Sequence, residues 1–157
     1  MNKILMLLDN NARLTSNQIA AVTGMPLDEV NKKISQYEES GIIKGYKTLI
    51  DWEKTDRNYV SAQITVKISL SGSMGFDDIC ELLAGFEEVE TVMLMSGSYD
   101  VALTVSAKTF QEIALFVASK LSPLEGVQST STSFVLKTYK DRGIMAKGDE
   151  DIREERT

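Results

Sequence analysis

Val60-Ser61-Ala62-Gln63-Ile64-Thr65-Val66-Lys67-Ile68-Ser69-Leu70 carries an apolar side chain at every even position and a polar one at every odd position. Successive strand side chains point to opposite faces, so a period of two predicts a strand with one buried and one wetter face. Ser71-Gly72-Ser73-Met74-Gly75 breaks the pattern. A helix is predicted next, with Ile79, Leu82, Leu83 and Phe86 inward and Asp77 and Asp78 at its electropositive start. Val92–Met95 and Val101–Val105 predict two strands joined by the turn Ser96-Gly97-Ser98-Tyr99-Asp100. Phe110, Ile113, Ala114, Val117 and Leu121 mark a second helix that stops at Ser122-Pro123, because the residue before proline disfavours helical backbone. Val127 to Tyr139 predicts a final strand. The order β-α-β-β-α-β is the ferredoxin-like pattern, an antiparallel sheet covered by two helices on one face. Residues on both sides of Val92–Met95 are apolar, which predicts dimerisation through the uncovered sheet face.

Upstream, Asp51-Trp52-Glu53-Lys54-Thr55-Asp56-Arg57-Asn58 reads as a charged connector. The fifty residues before it read as three helices. Ile4, Leu7 and Leu8 have amphipathic spacing, and Thr15 followed by Gln18 is a capping box opening a helix with Ile19, Ala20 and Val22. Gly24 suits the left-handed position that ends it. Leu27, Val30, Ile34 and Tyr37 form one stripe of a third helix ending at Gly41. Two short helices joined by the tight turn Gly24-Met25-Pro26 outline a helix-turn-helix, and Ile42–Lys47 predicts a short β ribbon, a wing. A plain trihelical module would show the same apolar stripe. The expected organisation is therefore a head over residues 1–50, a connector over 51–58, a sheet domain over 59–142 and a charged, solvated tail over 143–157 without assigned function.

Composition narrows the chemistry. The 157 residues contain no histidine and one cysteine, which excludes Ser-His and Cys-His nucleophile pairs, imidazole zinc sites and any disulfide within the chain. Cys80, beside core positions, is expected to be an inert buried thiol. No metal site, cofactor or catalytic residue is expected. The apolar run Ile4–Leu8 ends at Asp9-Asn10-Asn11 without a cleavage site, and no stretch is long enough to span a bilayer, so a soluble, cytoplasmic chain is expected. Charge is unevenly spread. Residues 1–50 carry six Lys/Arg against five Asp/Glu, whereas residues 51–142 carry eight against thirteen. Indiscriminate polyanion binding is thereby disfavoured, while a contact confined to one face of the head stays open.

Several stretches are familiar together: Leu14-Thr15-Ser16-Asn17-Gln18-Ile19-Ala20, the run Val30-Asn31-Lys32-Lys33-Ile34-Ser35-Gln36-Tyr37-Glu38-Glu39-Ser40-Gly41-Ile42-Ile43-Lys44-Gly45-Tyr46, the turn Ser96–Asp100, and Gly126-Val127 before a Ser/Thr-rich strand. They resemble the Lrp/AsnC (feast/famine) family of transcriptional regulators over roughly residues 1–142. The resemblance implies an α+β chain with an N-terminal winged helix-turn-helix followed by a ferredoxin-like βαββαβ domain for effector binding and oligomerisation. It also implies double-stranded DNA, an amino acid or related metabolite, and a homodimer or higher homo-oligomer as partners. Three departures stand out. Pro26 replaces the usual serine cap, and Asp28 and Glu29 occupy the early third helix, where carboxylates repel phosphate. Lys32 and Lys33 stand where arginines are usual, keeping charge but losing two-pronged guanine recognition.

Asn31 and Lys32 lie opposite the Val30/Ile34/Tyr37 stripe and are expected to reach base edges. Lys33, Lys44 and Lys47 are expected to hold phosphates, with Ser16 assisting. Each lysine has the alternative reading of a solvated surface charge. For the effector, Gly97, Ser98, Tyr99 and Asp100 are the candidates. Backbone N–H groups near glycine can approach a carboxylate, Asp100 can pair with an ammonium group, and Tyr99 can close over a side chain. The alternative is a plain hairpin turn whose aspartate caps backbone amides. Thr132, within Ser129–Ser133, supplies a hydroxyl either to the ligand or to a cross-strand pair. Two other functional classes are open to these residues: a metabolite-sensing oligomer that has lost DNA binding and acts through protein contacts, and a small enzyme on the same sheet. The second lacks histidine, paired pocket carboxylates and a phosphate loop.

Overall fold

The computed structural model describes residues 2–70 and 74–146. Two compact units divide between Leu49 and Ile50, so the connector groups with the second.

In the first unit, α1 spans Lys3–Asn10, α2 Ser16–Thr23 and α3 Leu27–Glu39. Side chains start the first two. Asn2 Oδ1 accepts from the Leu5 N–H, and the Thr15–Gln18 box closes in both directions, at 3.3 Å and 2.9 Å. Gly24 adopts φ +71°, which L side chains rarely tolerate, and its N–H bonds the Ala20 carbonyl to end α2. Pro26 gives α3 no side-chain cap. The core is small: Ile4, Leu8, Ile19 and Val30, ringed by Leu7, Leu14, Met25, Ile34 and Tyr37. Val22 lies outside it and is 68% exposed, because an eight-residue helix buries only the narrow face that carries Ile19.

Ile42–Lys47 does not form the expected ribbon. The described chain from Lys44 to Ile50 has no ladder partner, and a strand signal without one cannot satisfy its backbone groups by pairing. Instead the Ile43 N–H bonds the Tyr37 carbonyl at 2.9 Å, and Tyr46 Oη donates to Glu38 Oε1 at 3.0 Å. Burial and the Glu38 carboxylate raise the Tyr46 hydroxyl above the ordinary tyrosine value, so it stays a donor.

The second unit is built on β1 (Val60–Ile68), α4 (Phe76–Ala84), β2 (Val89–Leu94), β3 (Val101–Ala107), α5 (Phe110–Phe116) and β4 (Val127–Phe134). All pairings are antiparallel, in the order β2-β3-β1-β4. The even positions of β1 are the buried ones: Ala62, Ile64, Val66 and Ile68. They meet Val101, Leu103 and Val105 of β3 under Leu83 of α4 and Ile113 of α5. The opposite face holds Gln63, Thr104 and Ser133, with Gln63 Nε2 bonding Thr104 Oγ1 at 3.1 Å. It is rich in hydroxyls, and its apolar part lies towards the β2 edge, where Met93 pairs with Ala102. Gly126, just before β4, sits at φ +89°, and a Cβ there would come 2.8 Å from Ile79 Cδ1 in the core.

Further details depart from the sequence reading. Leu82 is 44% exposed, and Phe110 is turned out to make an edge contact with Phe134 at 4.9 Å. Phe116 takes the buried place, and a π-helical turn over Val117–Leu121 then swings Leu121 into the core. The last strand stops at Phe134 rather than Tyr139, because only Val127–Phe134 opposes β1. Beyond it, β5 (Lys140–Asp141) and β6 (Ile144–Met145) pair around Arg142-Gly143, both at positive φ. The expected tail therefore begins as a hairpin, and its residues 147–157 lie outside the described residues. Cys80 is partly buried, and burial together with the nearby Asp77 pushes its thiol up, as an inert thiol requires.

The connector is shaped rather than loose. Trp52–Lys54 forms a 3-10 turn, the Arg57 guanidinium lies 4.3 Å from the centre of the Trp52 ring, and Tyr59 stacks obliquely beside it at 6.2 Å. Tyr59 Oη and Ser106 Oγ both donate to Glu90 Oε1, at 3.0 and 2.8 Å, which anchors the connector's end to the sheet.

Candidate nucleic-acid interface and effector turn

On α3, Val30 is fully buried and Ile34 and Tyr37 are partly so, which turns Asn31 and Lys32 outward. Lys33 is different. It is half-buried and its Nζ lies 3.4 Å from Glu29 Oε1, one helical turn back. Part of its charge is answered within the protein, so it offers less to a phosphate than Lys32 does. Lys44 and Lys47 are exposed on the segment held by Glu38 and Tyr46, and Ser16 is half-buried at the start of α2. Sequence reasoning named Asp28 only as a group that repels phosphate and missed the rest of the outward stripe. Asp28, Ser35 and Gln36 share it at spacings of three or four from Asn31 or Lys32, Glu39 lies one turn further on, and all four are exposed.

In the second unit, the turn Ser96–Asp100 is clamped to β1. The Asp100 N–H bonds the Val66 carbonyl at 3.0 Å, and the Ile68 N–H bonds Asp100 Oδ2 at 2.8 Å. Lys67 Nζ lies 3.4 Å from Asp100 Oδ1. These contacts, the Ile68 amide first, hold the Asp100 carboxyl below the usual carboxylate range. The group expected to meet an ammonium ion thus already holds two donors, as a turn-capping aspartate does. Among the described residues, the N–H groups of Gly97, Ser98 and Tyr99 donate to no protein acceptor. Thr132 is not brought to this turn. It pairs with Ile64 across β1 and lines a separate, mainly apolar cavity of about 330 Å³ with Ala114, Val117, Ala118, Ser122 and Phe134.

A lowered native pKa means that Asp100 contributes stability above the ordinary carboxylate range and loses it as pH falls through the native value. Asp100→Asn keeps an acceptor for Ile68 but removes the charge. The acid-side decline of the melting temperature should become shallower in this variant than in the parent, measured by melts between pH 3 and 6. Parallel declines would show that Asp100 is not coupled to Lys67 and Ile68.

A helix-turn-helix head joined to a βαββαβ domain defines a DNA-binding protein with a second, ligand-binding part. Residues 2–44 match the family model for winged helix-turn-helix DNA-binding, and residues 61–145 match the model for the Lrp/AsnC ligand binding domain. The HTH-type transcriptional regulator YugG of Bacillus subtilis is 40% identical, covering 96% of this chain and 92% of its own. The regulatory protein AsnC of Haemophilus influenzae is 28% identical, covering 83% and 85%. The crystal structure of the Neisseria meningitidis regulator NMB0573 in complex with L-Met superposes with a TM-score of 0.72 at 27% identity, covering 88% and 89%. The chain belongs to the Lrp/AsnC family of helix-turn-helix transcriptional regulators. No helix among the described residues is long and apolar enough to cross a membrane.

Proposed function

We propose that this regulator is a cytoplasmic homo-oligomer that binds duplex DNA through residues 1–50 and changes that binding when an amino acid occupies residues 59–142. It works by binding alone, without catalysis. The reading is carried by the turn Gly97-Ser98-Tyr99, whose unpaired amides are held in place by Asp100 and suit a carboxylate. The methionine held by the Neisseria regulator supports an amino-acid effector. Asp100 shapes the turn, and Thr132 reaches a ligand only if a second subunit brings its cavity alongside. Oligomerisation is supported by Met93, Leu94 and Met95, each about half exposed at the β2 edge, and by Leu136 and Tyr139, which are 86% and 70% exposed. On DNA, Asn31 and Lys32 meet base edges while Lys44, Lys47 and Ser16 hold the backbone, with Lys33 a weaker contributor.

Electrophoretic mobility and melting assays with each of the twenty amino acids test this reading. The purified chain should run as a dimer or larger and retard its own upstream DNA at low ionic strength. One amino acid should raise the melting temperature and alter retardation. By linkage, operator DNA must then change the affinity for that amino acid by the same factor. A chain that ignores this DNA with and without every amino acid would refute the proposal.

A further inference from the structure

The outward stripe of α3 runs Asp28, Asn31, Lys32, Ser35, Gln36, Glu39, opposite the buried Val30. Among the described residues, none of these six makes a side-chain hydrogen bond or ion pair. The flanking residues do: Glu29 holds Lys33 at 3.4 Å, and Glu38 receives Tyr46 at 3.0 Å. The face that meets DNA is thus lined by groups whose donors and acceptors are uncommitted, and they differ in kind. Asn31 and Gln36 both donate and accept, Lys32 only donates, and Asp28 only accepts.

Asp28 is at the end of the helix that enters the major groove first in this motif. Its carboxylate does not bond the free amides of its own first turn, so it is not employed as a cap. In the groove, guanine and thymine present acceptor atoms, and a carboxylate facing them is repelled. Adenine sets its N6 amino donor beside the N7 acceptor, whereas cytosine presents its N4 amino group with no acceptor next to it. Lys32 is one helical turn further on, about 6 Å along the axis, or about two base-pair steps, and an ammonium group favours guanine.

We propose that Asp28 is a specificity-determining residue of the head: its carboxylate accepts the N4 amino group of a cytosine and rejects guanine and thymine there. That cytosine lies within about two base pairs of a guanine met by Lys32. The inference rests on DNA binding by the head. Glu29, neutralised by Lys33, affects affinity without reading sequence.

Selection from a random duplex library with the full chain tests this, comparing the parent with Asp28→Asn, Asp28→Ala and Glu29→Gln. Asp28 is exposed and unpaired, so its variants should melt within a few degrees of the parent, confirming that they fold. The parent should select a site containing a strongly preferred cytosine. Asp28→Ala should reduce discrimination at that single position by roughly tenfold or more, leaving the other positions intact. Asp28→Asn should shift it towards adenine, and Glu29→Gln should tighten binding to all sequences alike. If Asp28→Ala selects the parent's site and merely binds every duplex more tightly, the carboxylate only repels phosphate and the inference fails. If the parent selects a site whose Asp28-dependent position is not cytosine, it fails too. If the parent retains no duplex at all, DNA binding itself is refuted and the inference falls with it.

Discussion

Lys32→Ala should weaken operator binding roughly tenfold and make the logarithmic salt dependence shallower by about one counterion. Lys32 is exposed on the outward stripe of α3 and has no partner among the described residues, so its charge is fully available to DNA. A good base contact is worth about 1–3 kcal/mol, and a cation seated in the groove between the phosphates also displaces about one counterion, worth about 0.9 in the salt slope. Lys33→Ala supplies the internal comparison. Its ammonium is already opposed by Glu29, so its removal should cost less and change the slope less. Fluorescence anisotropy on a labelled operator between 50 and 300 mM salt would measure both. Equal effects of the two substitutions would show that the Glu29 pair opens on DNA, and an unchanged Lys32→Ala would remove that residue from the interface.

Leu103→Ala should destabilise the second unit by about 2–5 kcal/mol, the range for removing a fully buried leucine where the surroundings cannot collapse. Leu103 is 0% exposed on a central strand, paired with Ile64 on one side and Val92 on the other. Strands on both sides and helices above restrain relaxation. For a unit of this size the melting temperature should drop by roughly 10 °C or more. The single tryptophan, Trp52, belongs to the same unit and is held by Arg57 and Tyr59, so its fluorescence reports this melt. The head has its own core of Ile4, Leu8, Ile19 and Val30. A variant melting within a degree or two of the parent would contradict the packing described.

Much of this architecture was legible locally. The β1 alternation survives because helices cover one sheet face and leave the other wet. The Thr15–Gln18 box and the left-handed Gly24 were legible because capping chemistry is settled within a few residues. The candidate site was half legible. Asn31 and Lys32 follow from opposition to the apolar stripe, and the same spacing would have yielded Asp28, Ser35 and Gln36 had it been carried along the whole helix. The Glu29–Lys33 pair also has readable i,i+4 spacing, yet only coordinates show that it forms. Asp100 is the opposite case. Its partners, Ile68 and Lys67, are more than thirty residues away, so nothing near the turn announces that its carboxylate is committed.

The errors share one origin. Ile42–Lys47 and Val135–Tyr139 have strand-like composition, but a strand exists only where another lies beside it. The first has no such neighbour, and the second leaves β1 once the Val135 N–H has bonded the Ser61 carbonyl. Leu82 and Phe110 have helical spacing, but spacing cannot say how wide a face the sheet will cover. The amino-acid string alone determined the order of elements, the caps and turns, and which strand and helix faces are apolar, because these depend on chemistry between near neighbours. Tertiary structure alone decided strand pairing, the commitment of Asp100 and Lys33, and the separation of Thr132 from the turn Ser96–Asp100. Those depend on groups distant in the chain meeting in space, and periodicity carries no information about distance.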